Sequence, residues 1–198
     1  MNKLRKTFLA LLLLLLLAGC AGDTDEPPAE NAPETTNTAS EPPAQETPPS
    51  EEEVPAVYVT FEAADLEGNT VSEDIFSQSK LTMVNIWATY CNPCLREMPD
   101  LGELAAEYDA ADFQIIGIVS DVLEGEDQTE VEDLVKQTGA SYPHLLANES
   151  LYRALLAGVT SVPTTVFFDG EGAALGYVTG AKEKEVWEEL INELLEKA

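Results

Sequence analysis

Apolar residues recur along this chain with different periods, and each period marks a different kind of element. Val57, Val59 and Phe61 alternate with Tyr58, Thr60 and Glu62, and Glu67-Gly68-Asn69 is a turn signal before Thr70-Val71. That pattern predicts a β-hairpin opening the folded region. The run Leu81-Thr82-Met83-Val84-Asn85-Ile86-Trp87 is apolar almost without alternation, as in a strand covered on both faces. From about 92 to 109 the apolar positions Leu95, Met98, Leu101, Leu104, Ala105 and Tyr108 fall at helical spacing, with Glu97, Asp100, Glu103 and Glu107 largely on other faces. Residues 113–119 read as a second buried strand, and 129–138 as a helix with Thr129 as its cap, Glu132 three residues on, and Gly139 as its stop. His144 opens a short strand. Residues 164–168 and 174–178 read as strands about a Gly170-Glu171-Gly172 turn, and 182–197 as an amphipathic helix. Strand and helix alternate, then a hairpin and a helix close the chain, which predicts an α/β domain with a central sheet flanked by helices.

The first 55 residues follow no such pattern. Lys3, Arg5 and Lys6 precede an apolar run over 8–18, and Leu17-Ala18-Gly19 supplies small residues before Cys20. This is the layout of an export signal over 1–19, with an apolar run far short of the roughly 20 residues of a spanning helix. Leu-Ala-Gly-Cys resembles the lipobox of bacterial lipoproteins, which implies cleavage before Cys20 and acylation of its thiol. Residues 21–55 hold eight of the twelve prolines, ten acids, no Lys or Arg, and Val54 as the sole large aliphatic. Such a stretch cannot nucleate a core. Residues 20–55 therefore read as a lipidated cysteine with an acidic, proline-rich tether, and 56–198 as the folded domain.

Charge and cysteine usage then narrow the chemistry. With 37 Asp+Glu against 10 Lys+Arg the formal net charge is −27, which excludes a phosphate-backbone partner. Three cysteines, Cys20, Cys91 and Cys94, and one histidine are too few for a disulfide scaffold or a tetrahedral zinc site. No metal is expected, and no cofactor beyond a Cys91–Cys94 dithiol. His144 shows no partner along the sequence that would make it catalytic and reads as structural.

Trp87-Ala88-Thr89-Tyr90-Cys91-Asn92-Pro93-Cys94 lies where a buried strand hands over to a helix. Two intervening residues let both thiols sit in the first helical turn, close enough for a disulfide to close and reopen. The helix N-terminus favours a thiolate, so Cys91 is the expected nucleophile and Cys94 the resolving thiol. Spacing alone also permits an inert structural disulfide. The strand-to-helix junction favours redox work.

These residues resemble the TlpA/ResA-type thiol-disulfide oxidoreductases of the thioredoxin superfamily. The resemblance runs from about Val57 to the C-terminus. It rests on the segment 84–94, on Arg96-Glu97-Met98-Pro99, and on Val162-Pro163-Thr164-Thr165. It implies a thioredoxin-like fold with a mixed sheet and an N-terminal hairpin extension. Asn85 follows the branch that lacks thioredoxin's buried Asp. Glu97 matches a glutamate implicated in tuning the thiols and moving protons, and i,i+3 spacing could bring it beneath Cys94. Pro163 matches a cis-proline that faces the cysteines, and Pro99 a kink in the active-site helix. Trp87 and Tyr90 flank the thiols, Tyr90 standing where many members have Trp, and Asn92-Pro93 tune the potential.

The implied function is a lipid-anchored, extracytoplasmic protein disulfide reductase on a bacterial membrane. It would reduce exported proteins, apocytochrome c being the best-known client class, and draw electrons from a membrane dithiol donor of CcdA/DsbD type. A monomer is expected. Three other readings are a disulfide oxidase or isomerase using the same cysteines, a non-catalytic lipid-anchored binding protein, and a peroxiredoxin. The last fits poorly, because its P-x-x-x-T-x-x-C pattern would need Pro and Thr where Val84 and Ala88 stand.

Overall fold

A computed structural model describes residues 55–197. The export signal over 1–19, Cys20 and the tether, except Pro55, lie outside the described residues. Strand β1 (Glu62–Ala64) pairs antiparallel with β2 (Thr70–Ser72) as a small separate sheet. The main sheet holds β3 (Leu81–Trp87), β4 (Phe113–Leu123), β5 (His144–Ala147), β6 (Thr164–Asp169) and β7 (Ala174–Thr179), in the order β5-β4-β3-β6-β7. β3 runs parallel to β4, β4 parallel to β5, and β6 antiparallel to both β3 and β7. Helices α1 (Asn92–Glu107), α2 (Thr129–Thr138), α3 (Glu149–Leu151, continued by a π-helical turn over Tyr152–Leu156) and α4 (Lys184–Leu195) complete the domain. This is a thioredoxin-like α/β fold with a mixed sheet.

The unbroken apolar run of β3 is explained by a core on each side of the sheet. Leu81, Met83 and Trp87 join Leu101 and Leu104 of α1, Phe167 of β6 and Trp187 of α4 in one buried cluster. Val84 and Ile86 join Phe61, Phe76, Ile116, Ile118, Leu151 and Phe168 in the other. With apolar neighbours on both faces, strict alternation has no role. Asn85 nonetheless lies on the first face, because side chains of residues 83, 85 and 87 share one side of the strand.

Several local expectations need correction. The strand expected over 57–62 begins only at Glu62; upstream of it the Val57 carbonyl accepts from the Ala174 N–H and Tyr58 bridges Ala173, both at the turn into β7. Val57 and Tyr58 are exposed, and only Phe61 of that alternating set is buried. Thr129 does not cap α2: the N-cap residue is Gln128, which makes no side-chain capping bond, and Asp127 Oδ1 accepts from the Thr129 N–H at 3.0 Å and from its hydroxyl at 2.7 Å. Gly139 does stop α2, in the left-handed conformation at φ 71°. Two elements had no period to betray them, a 3-10 turn over Glu73–Gln78 and the α3–π segment. Helix α1 continues through Pro99, which is exposed.

Candidate active site

The C-terminal ends of β3 and β4 build the cysteine loop. Ser120 Oγ donates to the Trp87 carbonyl at 2.9 Å. The Asp121 carboxylate accepts from the Thr89 N–H at 3.0 Å and from the Thr89 hydroxyl at 2.6 Å. Cys91 then caps α1, its Sγ accepting from the Cys94 N–H at 3.2 Å, with Pro93 in the first turn. A sulfur at this point faces the positive end of a sixteen-residue helix. Cys91 and Cys94 form a disulfide with Cα atoms 5.3 Å apart. Cys91 is 5% exposed and Cys94 fully buried, so the pair is asymmetric toward solvent. Asn92 and Pro93 between them are exposed.

Trp87 is enclosed, in the same buried cluster as both cysteines, whereas Tyr90 is 74% exposed. Of the two flanking aromatics only Trp87 belongs to the buried cluster that holds the disulfide. Tyr90 instead borders a cleft of about 480 Å³ with Ser120, Tyr152, Val159, Ser161 and Val162, all uncharged. Val162 also packs against the cluster containing the cysteines, and the Val162–Pro163 peptide is cis. Pro163 is buried, and its carbonyl accepts from the Gly180 N–H at 2.8 Å. The cis bond thus follows a residue that borders the buried cluster holding both cysteines.

Behind the thiols runs a row of register partners across the sheet. His144 on β5 faces Gly117 on β4, which faces Asn85 on β3, which faces Thr165 on β6. Asn85 Nδ2 donates to Thr165 Oγ1 and to Glu97 Oε1, each at 3.1 Å. The second oxygen, Glu97 Oε2, accepts from the Lys182 N–H at 3.1 Å. Glu97 is 3% exposed, and burial raises its pKa above the ordinary 4.5, opposed by the Lys182 N–H, Asn85 and the Trp187 indole. Trp187 favours the charged form without completing a hydrogen bond. Tyr142 is buried near the same carboxylate; desolvation first, then the Glu97 charge, push its phenol upward.

That burial sets a pH dependence of stability. A carboxyl whose pKa is raised on folding favours the fold fully below its unfolded value, and the contribution is lost as pH rises through the folded value. Glu97→Gln carries no charge to bury. Its stability relative to the parent should therefore improve as pH rises above about 4.5 and then level off, in urea unfolding between about pH 4 and 8. Parallel stability curves for the two proteins would show that Glu97 is not desolvated.

Sequence reasoning named Cys91, Cys94, Glu97, Pro163, Trp87 and Tyr90. It missed Ser120, Asp121, Tyr142, Thr165, Lys182 and Trp187. Asp121 carried one usable signal, an acid directly after a buried strand at the C-terminal edge of a parallel pair, where functional groups collect. The others are distant in sequence and gave none. Among the described residues no cluster of His, Cys, Asp and Glu suits a metal ion.

Comparison with known proteins agrees with this geometry. The profile of the AhpC/TSA family matches residues 46–173. Thiol-disulfide oxidoreductase ResA of Halalkalibacterium halodurans is 30% identical over 133 residues, covering 67% of this chain and 72% of that protein. A crystal structure of a thiol:disulfide interchange protein of the thioredoxin family from Chlorobium tepidum superposes with a TM-score of 0.63 at 24% identity, covering 72% of this chain and 99% of the other. That of the exposed lipoprotein thioredoxin from Streptococcus pneumoniae gives a TM-score of 0.54 at 28% identity, covering 68% and 99%.

Proposed function

From a chain that belongs to the AhpC/TSA family and is a thiol-disulfide oxidoreductase of the ResA type, we propose a membrane-tethered reductase of disulfides in exported proteins. The observation that carries this reading is the cysteine pair at the N-terminus of α1, with Cys91 outermost and the Cys94 N–H aimed at its sulfur. In the reduced enzyme the Cys91 thiolate attacks one sulfur of a client disulfide. A mixed disulfide forms and the other client sulfur leaves as a thiolate. Cys94, deprotonated, then attacks Cys91 Sγ, which frees the second client thiolate and leaves the Cys91–Cys94 disulfide. Two electrons pass from enzyme to client, and the client thiolates take up two protons. Glu97, the buried carboxylate one helical turn beyond Cys94, accepts the Cys94 proton.

Reduction of the resulting disulfide requires a membrane dithiol donor of CcdA/DsbD type, and a tether ending in acylated Cys20 keeps the domain beside it. Apocytochrome c is the client class suggested by resemblance. The uncharged cleft beside Tyr90 and cis-Pro163 supports an extended client segment lying there. Val84 and Ala88 replace the Pro and Thr of the peroxiredoxin pattern, which disfavours a peroxidase reading within the same family.

Equilibration of the full chain in glutathione buffers tests the direction of electron flow. A potential at or below about −250 mV, near the roughly −270 mV of thioredoxin, is the expected result. A value above about −180 mV would replace the reductase with an oxidase or isomerase. Anchoring has its own check: Cys20→Ser should move the protein from the membrane fraction to the soluble one, and retention in the membrane would refute acylation as the anchor.

A further inference from the structure

His144 is the chain's single histidine, and it lies two strands from the cysteines. Its ring is nonetheless bonded to a side chain of the buried cluster that holds them. Trp87 Nε1 donates to His144 Nδ1 at 3.1 Å, and His144 Nε2 lies 3.0 Å from the Ala140 carbonyl. An indole nitrogen can only donate and a carbonyl can only accept, so Nδ1 is the bare nitrogen and Nε2 carries the proton. The ring is therefore neutral with its tautomer fixed from both sides. Tyr142 packs against it with centroids 4.6 Å apart. Between His144 and β3 stands Gly117, whose missing side chain opens the path: a Cβ there would lie 2.1 Å from His144 Nδ1. Glycine in a central strand is unfavourable unless another group needs the space, and here the imidazole occupies it.

Trp87 is fully buried and shares its cluster with Cys91 and Cys94. The Trp87 indole N–H donates to His144. We propose that His144 is a positioning residue for the dithiol, holding the Trp87 indole as a dry wall of the Cys91–Cys94 pair through the Trp87–His144 hydrogen bond. The proposal rests on the reading of Cys91 and Cys94 as the reacting pair. Without the bond, a buried donor has no partner, a costly state relieved when the indole swings toward water. Water then reaches the thiols. Better solvation favours the thiolate, so the Cys91 pKa falls and the reduced form gains relative to the disulfide.

Two isosteric replacements separate hydrogen bonding from packing. His144→Asn places an acceptor oxygen where Nδ1 was, while His144→Gln reproduces the Nε2 donor to Ala140 and lacks the acceptor for Trp87. Both are made in the full chain and equilibrated in glutathione buffers, reading the Cys91–Cys94 disulfide by alkylation and peptide mass. Cooperative thermal unfolding serves as the check on folding. His144→Gln should make the disulfide easier to reduce, by about fivefold in the exchange constant, and lower the midpoint of Cys91 thiolate formation, whereas His144→Asn should stay near the parent. An unchanged constant in His144→Gln overturns the proposal, and so does an equal shift in both variants, which would assign the effect to packing. If neither variant folds, Trp87→Phe decides: its smaller ring, with no N–H for His144 to hold, covers less of the pair, so the constant should move in the same direction, and no movement overturns the proposal. Since every readout is a difference from the parent, the result does not depend on whether the parent potential falls in the reductase range.

Discussion

Cys94→Ser should arrest the protein as a mixed disulfide, and Cys91→Ser should abolish turnover. With a synthetic peptide carrying one intramolecular disulfide, we expect Cys91→Ser to lower the rate on the order of 10³-fold or more, as removal of an attacking nucleophile does. Cys94→Ser should leave the first attack intact and remove the second, so peptide accumulates on Cys91, visible by mass on a non-reducing gel. The asymmetry follows from the site. Cys91 has the residual exposure, and its sulfur sits at the helix end, opposite the Cys94 N–H at 3.2 Å, where negative charge is stabilised. Cys94 lies a turn deeper with no exposure. Peptide trapped on Cys94 in the Cys91→Ser protein would reverse the assignment. An in vivo function left intact by Cys91→Ser would instead favour a non-catalytic binding role.

Gly117→Ala should be strongly destabilising for a substitution that adds a single methyl group. Its Cβ would lie 2.1 Å from Nδ1, 2.7 Å from Cε1 and 3.0 Å from Cγ of His144. The ring cannot step aside without loosening its bonds to Ala140 and Trp87 and its packing against Tyr142. Overpacking of this kind costs about 3 kcal/mol when strand and ring must both shift. For a domain of this size that lowers the melting temperature by roughly 10 °C. Gly117→Ala combined with His144→Ala should melt higher than Gly117→Ala alone, because removing the ring makes room for the methyl. A Gly117→Ala melt within about 2 °C of the parent would show that β4 and β5 yield more easily than the packing implies.

Much of this was legible in the residues. The 81–87 run, the helical spacing after it and the C-x-x-C at their junction located the sheet centre, the helix and the reactive pair. Those features are local, set by period and by the needs of a helix N-terminus. The hairpin was misplaced by several residues because Val57, Val59 and Phe61 alternate as a strand would, yet that segment meets the turn before β7 instead of β2. Glu97 could be given a direction by i,i+3 spacing, but spacing does not tell a solvated glutamate from a buried one. What buries it is Asn85 from β3 and the Lys182 amide, 85 residues away.

The sequence by itself determined the elements that carry the chemistry, since strand and helix periods and the two-residue gap between thiols are properties of the nearest few residues. Only the tertiary structure decided the surroundings of that chemistry. The order β5-β4-β3-β6 aligns His144, Gly117, Asn85 and Thr165 across four strands, although they are scattered over 81 positions of the chain. Side chains on one face of a sheet become neighbours through register, and register is fixed by the packing of the whole domain. The reactivity of a thiol pair depends on such neighbours, through desolvation, hydrogen bonds and excluded water, so the environment that tunes these cysteines appears only once the chain is folded.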